Sequence, residues 1–261
     1  MIPYIGGKSY LANWIISNFP SDYKSKTYCE VFGGGGWVLF KKEPSFVEIY
    51  NDLNSDLVNL FKTIRDNYPK FSHMAEWTLH SREMFQEATK KLQQDEFLSE
   101  TERAINFATN RTQSFVGTGN SWGYQIRAHA ATSGQWLPFL KRMELINARL
   151  KRVQIECLDF EKIIKKYDTP DTLFYLDPPY VDAEKYYDIP FTMEDHERLA
   201  SLLKNIKGKF VLSYYDHPFI REQYSGYQIL TKEVSKHSYG MTVNAKSKER
   251  PKGKEVLILN Y

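Results

Sequence analysis

Tyr28-Cys29-Glu30-Val31-Phe32 is an apolar run that ends on four consecutive glycines, Gly33 to Gly36, and a helical pattern begins at Trp37. A second strand-like run, Phe46 to Tyr50, is followed by Asn51-Asp52. A helix is then expected over Ser55 to Asp66, where Leu57, Leu60, Phe61 and Ile64 recur at helical spacing. A chain that opens strand–helix–strand–helix is constrained to build a parallel sheet.

The pattern changes after that. From about Tyr68 to Leu150 helical periods persist (Met143, Ile146, Leu150) around a glycine-rich aromatic loop, Gly117 to Tyr124, with no strand of comparable quality. Strands resume at Val153 to Cys157, Leu173 to Leu176, Phe210 to Ser213, Tyr227 to Leu230 and Val256 to Leu259. Helices are expected from Phe160 and over Met193 to Lys204. The expected architecture is α/β: a doubly wound, mostly parallel sheet of seven strands in residues 1–66 and 151–261, interrupted by a helical subdomain over 67–150.

Composition narrows the function classes. Cys29 and Cys157 both sit in strand-like runs and read as buried free thiols in a reducing compartment. Six scattered histidines lack paired ligand spacing, so no metal is expected. No signal-peptide core or membrane-length apolar run is found, and a cytoplasmic protein is expected. Net charge is only +3, but from Arg103 to Arg152 eight cations face the single acid Glu144, a net +7. Such segregation suits a polyanion partner, although a solvated basic face would read the same way.

Two clusters carry chemistry. Glycines after a strand let the backbone approach a ligand, and the following helix N-terminus favours an anionic group. Asp52, at the end of the next strand, can accept both ribose hydroxyls of an adenosine-type cofactor; its alternative is a helix N-cap. The second cluster is Tyr175-Leu176-Asp177-Pro178-Pro179-Tyr180. The prolines end the ladder and remove two N–H donors, so the strand end presents acceptors only. A ring amine is a poor nucleophile because its lone pair is delocalised. Acceptance of both its protons, by Asp177 and the Pro178 carbonyl, favours a tetrahedral nitrogen that can attack a sulfonium methyl. Tyr180 is expected to offer the ring a stacking face. A structural Asp-Pro turn is the plainer alternative.

In these residues the chain resembles the DNA adenine methylases of the Dam type over nearly its whole length. Pro3-Tyr4-Ile5-Gly6-Gly7-Lys8 is similar to the family's N-terminal motif, which implies that Tyr4, Gly7 and Lys8 contact S-adenosylmethionine. Glu30 to Gly36 looks like its glycine loop (Phe32, Gly33, Gly34, Gly36), and Asn51-Asp52-Leu53-Asn54 like its ribose-binding turn. Leu158-Asp159-Phe160 resembles the strand end that holds the cofactor's adenine, with Asp159 on the exocyclic amine. Asp177-Pro178-Pro179-Tyr180 matches the catalytic motif. The resemblance implies a Rossmann-like methyltransferase fold, S-adenosylmethionine as cofactor and methylation of N6 of an adenine flipped out of double-stranded DNA. Two differences stand out. Gly33 to Gly36 replaces a Gly-x-Gly spacing, and Asn110 to Pro138 lacks the Asn-x-Pro-Phe-Gly ending of members that read GATC.

The insertion is the expected target-recognition part: basic residues such as Arg111, Arg127, Lys141 and Arg142 suit phosphates. Asn120, Gln125, Arg127 and Gln135 can read base edges, a surface or turn role being the alternative for each; Trp122 and Tyr124 are further candidates. Methylation of RNA by the same chemistry and a silent nucleic-acid-binding module remain alternatives. A zinc deaminase fails for want of paired cysteines. The sequence leaves the oligomeric state open and is compatible with a monomer.

Overall fold

The computed structural model describes residues 4, 6–94, 98–123, 136–182, 189–235 and 252–261. The strands are β1 (Thr27–Glu30), β2 (Val47–Asn51), β3 (Val153–Glu156), β4 (Thr172–Leu176), β5 (Lys209–Tyr215), β6 (Gln228–Ser235) and β7 (Lys252–Leu259). Among the described residues the helices are α1 (Ala12–Ser17), α2 (Trp37–Lys41), α3 (Ser55–Asp66), α4 (Tyr68–Glu76), α5 (Arg82–Gln93), α6 (Glu100–Gln113), α7 (Trp136–Leu150), α8 (Phe160–Tyr167), α9 (Met193–Leu203) and α10 (Pro218–Gln223). The strands form one sheet in the order β3-β2-β1-β4-β5-β7-β6. Pairing is parallel from β3 to β5, and β7 runs antiparallel to both β5 and β6.

Alternation along the central strands explains why helices cover both faces. Tyr28, Leu173 and Tyr175 join one apolar core with α1, α2, α3, α6 and α7. Their neighbours Cys29, Phe174 and Leu176 join the other, with α8, α9 and α10. Helices from residues 68–150 thus bury Phe107, Phe139, Met143 and Ile146 in the same core as the sheet.

Local capping sets the helix starts. The side chain of Asn54 accepts from the amides of Asp56 and Leu57, so Asn54, not Asp52, is the N-cap of α3. Asp159 caps α8, and Thr192 with Asp195 forms a capping box on α9. One expectation is corrected: Cys29 is buried, but Cys157 is exposed. β3 ends at Glu156, so Cys157 lies in the connection to α8. No helix among the described residues is long and apolar enough to cross a membrane.

Candidate active site

Strand order reverses between β1 and β4, which neighbour each other while their connections lead to opposite sides. A crevice must open there, at the carboxyl ends of the strands. The cleft is lined by the glycine loop after β1, the turn after β2, the strand ends of β3 and β4, and the N-terminal Tyr4, Gly7 and Lys8.

The glycine loop is held from beneath. A Cβ on Gly33 would lie 2.2 Å from the Tyr50 ring, while the Tyr50 hydroxyl donates to the Gly34 carbonyl at 2.7 Å. Gly34 has φ +48° and Gly36 φ +67°, so the turn takes left-handed backbone twice. Gly35, rather than Gly36, faces the cleft; Gly36 serves the turn into α2. Asp52 accepts from the Gly34 amide at 2.7 Å and the Asn54 amide at 2.8 Å. Burial raises its pKa, and those backbone donors oppose the shift. Leu53 is exposed beside it and lines the cleft.

Asn51, not singled out by sequence as a site residue, ties this end of the sheet together. Its amide donates to the carbonyls of Val31 (2.8 Å) and Leu158 (2.9 Å), and its oxygen accepts from the Leu158 amide (2.9 Å). The glycine loop, the Asp52 turn and the Leu158-Asp159-Phe160 segment are therefore fixed relative to one another. At the far end of the cleft Phe32 packs against Phe160 and Phe191, with ring centroids 5.8 and 5.7 Å away. Arg198 of α9 pairs with Asp159 at 3.2 Å there. Asp159 is thus already engaged, as an N-cap and as an ion-pair partner.

Asp177 follows the last residue of β4. Its Oδ1 accepts from Ser213 Oγ at 2.7 Å and faces Lys8 Nζ at 2.9 Å. Lys8 also donates to the Gly6 carbonyl at 3.0 Å and stands 4.6 Å over the Tyr180 ring. Pro178 is buried and Pro179 lines the cleft. The expected open stacking face of Tyr180 is corrected: the side chain is 4% exposed, lies beneath Lys8 and donates its hydroxyl to Glu255 at 2.8 Å. Burial pushes the Glu255 carboxyl up to about 7, Lys8 opposing and Asp177 adding to the shift. Glu30, at the end of β1 and bonded by the Tyr28 hydroxyl, is pushed by burial to about 8. Nothing local marked Glu255, which arrives from β7, opposite Tyr215 of β5.

The nucleic-acid candidates divide. Lys141 and Arg142 are exposed on α7, and Asn120 is exposed. Arg111 is corrected: it is 7% exposed, donates to the Thr118 carbonyl at 2.7 Å and braces the 115–123 loop. Trp122 is half-buried against His80, with Arg82 over its ring. Arg103 pairs with Asp56 and Arg149 with Glu48, so part of the +7 is neutralised across the fold. Tyr124, Gln125, Arg127 and Gln135 lie outside the described residues. No cluster of His, Cys, Asp or Glu that could hold a metal occurs among the described residues.

Known proteins resemble the chain over most of its length. Type II methyltransferase M1.LlaDCHI of Lactococcus lactis subsp. cremoris is 29% identical over 99% of this chain and 94% of its own length. The DNA adenine methylase of Haemophilus influenzae is 22% identical over 99% of this chain and 92% of its own. The DNA N-6-adenine-methyltransferase of Escherichia phage P1 is 26% identical over 87% of this chain and 31% of its own. Residues 4–237 match the model of one family, and the chain belongs to it: the D12 class N6 adenine-specific DNA methyltransferases.

Proposed function

We propose that the chain binds S-adenosylmethionine in the cleft between the β1 and β4 ends and methylates N6 of an adenine extruded from duplex DNA. The observation that carries this reading is the position of Asp177: a strand-end carboxylate in the same cleft as the glycine loop and Asp52. The cradle suits an adenosine-type cofactor, because a side chain on Gly33 would collide with Tyr50 and Asp52 lies beside the loop. When bound, the cofactor supplies an electrophilic methyl on a sulfonium. Asp52 would take the ribose hydroxyls, and Phe32, Phe160 and Phe191 would enclose the adenine, with Asp159 at its exocyclic amine.

The residues of the chain do the rest. Asp177, with the Pro178 carbonyl, accepts hydrogen bonds from the two N–H groups of the target amine and favours a localised lone pair; its charge stabilises the positive charge that develops on nitrogen. Ser213 orients Asp177. Lys8 and Ser213 both meet Oδ1 of Asp177, which among the described residues leaves Oδ2 to receive the amine. Tyr180 supports this end of the cleft from beneath Lys8, with its hydroxyl held by Glu255. Exposed Lys141 and Arg142 supply phosphate contacts from the 67–150 insertion, the target-recognition part in this reading.

The test is single-turnover transfer of labelled methyl to duplex DNA. Asp177→Ala should lose more than about a hundredfold in rate, at least roughly 2.7 kcal/mol of barrier, while the variant still melts cooperatively. A folded variant above that rate removes Asp177 from catalysis. Transfer to structured RNA in preference to duplex DNA would replace the substrate.

A further inference from the structure

Arg198 lines the cleft beside Asp159 with more partners than a solvated surface arginine needs. Its Nη1 is 3.4 Å from Asp159 Oδ1 and 3.2 Å from Glu161 Oε2; its Nη2 is 3.2 Å from Asp159 Oδ2 and 2.9 Å from Asp195 Oδ1. The guanidinium carbon stands 4.2 Å over the Phe160 ring. Arg198, Asp159, Phe160, Phe191 and Asp195 all line the same cleft. Two helices are joined here: Asp159 caps α8, while Asp195 and Arg198 belong to α9.

The geometry of Asp159 shows what this contact does. The N-cap bond from the Glu161 amide, 2.9 Å, goes to Oδ1 alone. One bond at one oxygen fixes that atom and leaves the carboxylate free to turn about it. The two-toothed contact from Arg198 reaches the second oxygen as well, and two fixed atoms define the plane. An ionised carboxylate has about four acceptor sites. Among the described residues, Oδ1 takes the Glu161 amide and Arg198, and Oδ2 takes Arg198, which leaves one site on Oδ2.

We propose that Arg198 is a positioning residue for the adenine end of the cofactor: by fixing the plane of Asp159 it sets the preference for a purine that carries an exocyclic amine. The proposal rests on the cofactor reading above, in which Asp159 meets that amine. The Phe160 contact keeps the guanidinium flat against the aromatic wall, so the fork stays aimed at Asp159.

Calorimetric binding of S-adenosylhomocysteine and of its purine analogue lacking the exocyclic amine separates positioning from packing. Wild-type protein should prefer the amine by roughly tenfold or more, the range for a hydrogen bond to a charged acceptor. In Arg198→Ala that preference should shrink at least severalfold, while affinity for the amine-free analogue changes less than about twofold. Arg198→Lys keeps the charge without the fork and should fall between them. Thermal melting establishes that each variant is folded. An equal loss for both ligands would mean that Arg198 only packs the ring, and an unchanged preference would mean that Asp159 is oriented without it; either overturns the proposal. Asp159→Ala tests the reading beneath. It should abolish the preference outright, and if the preference survives, Asp159 does not meet the amine and the inference falls with that assignment.

Discussion

Tyr180→Phe removes a single oxygen, and its cost should depend on pH in a direction set by Glu255. The lost group donates to Glu255 Oε2 at 2.8 Å, and Glu255 is only 1% exposed, so water does not simply replace it. The folded carboxyl titrates at about 7 against an ordinary 4.5, burial being the main cause. A raised acid stabilises the fold fully below the unfolded value, and that contribution is lost as pH rises toward the folded value. Below that range the hydroxyl serves a neutral carboxyl, a bond with net value of about 0.5–1.5 kcal/mol; above it the partner is a carboxylate, for which about 1.5–3 kcal/mol is usual. Loss of the donor also raises the Glu255 value further, which extends the range over which stability falls. The deficit of Tyr180→Phe relative to wild type should therefore about double between roughly pH 5.5 and pH 8.5. Urea denaturation across that range measures it. In a Glu255→Gln background, where the amide oxygen still accepts but cannot ionise, the same substitution should cost the same at every pH. A deficit that is flat in the wild-type background, or that shrinks as pH rises, refutes the role assigned to Glu255.

Asp52→Ala should weaken S-adenosylmethionine binding by roughly 1.5–3 kcal/mol in calorimetry, because the amides of Gly34 and Asn54 lose their acceptor along with the ribose; wild-type affinity would remove Asp52 from the site. Replacing Lys141 and Arg142 together by Ala should make the salt dependence of duplex binding shallower by about two in log–log slope if each meets one phosphate. An unchanged slope would place the duplex on another surface.

The architecture was legible because a buried strand must be apolar on both faces and a helix on one. Those constraints act over adjacent residues, so β1, β4 and α3 can be read locally. Even Asp177 is a local signal, since the prolines that aim it are its neighbours in the chain. The parts that sequence missed lie where topology, not adjacency, brings groups together. Asn51 passed for part of a turn, yet its amide group links the ends of β1, β2 and β3. Arg198 and Phe191 reach the cleft from the segment after the catalytic motif, and Glu255 reaches Tyr180 across 75 residues of chain. The basic stretch shows the converse, since part of its charge is answered within the fold. Arg103 meets Asp56 across 47 residues, and Arg149 meets Glu48 across 101. A net charge counted along the chain assigns these cations to a partner, while the fold assigns them to its own carboxylates. Among the described residues, what is left for a polyanion is Lys141 and Arg142 along the exposed side of α7, with Lys151 and Arg152 exposed just beyond its end. Four cations in that short stretch can reach only a few consecutive phosphates, so this helix can set the register of a duplex, and discrimination between sequences must come from groups that touch its bases.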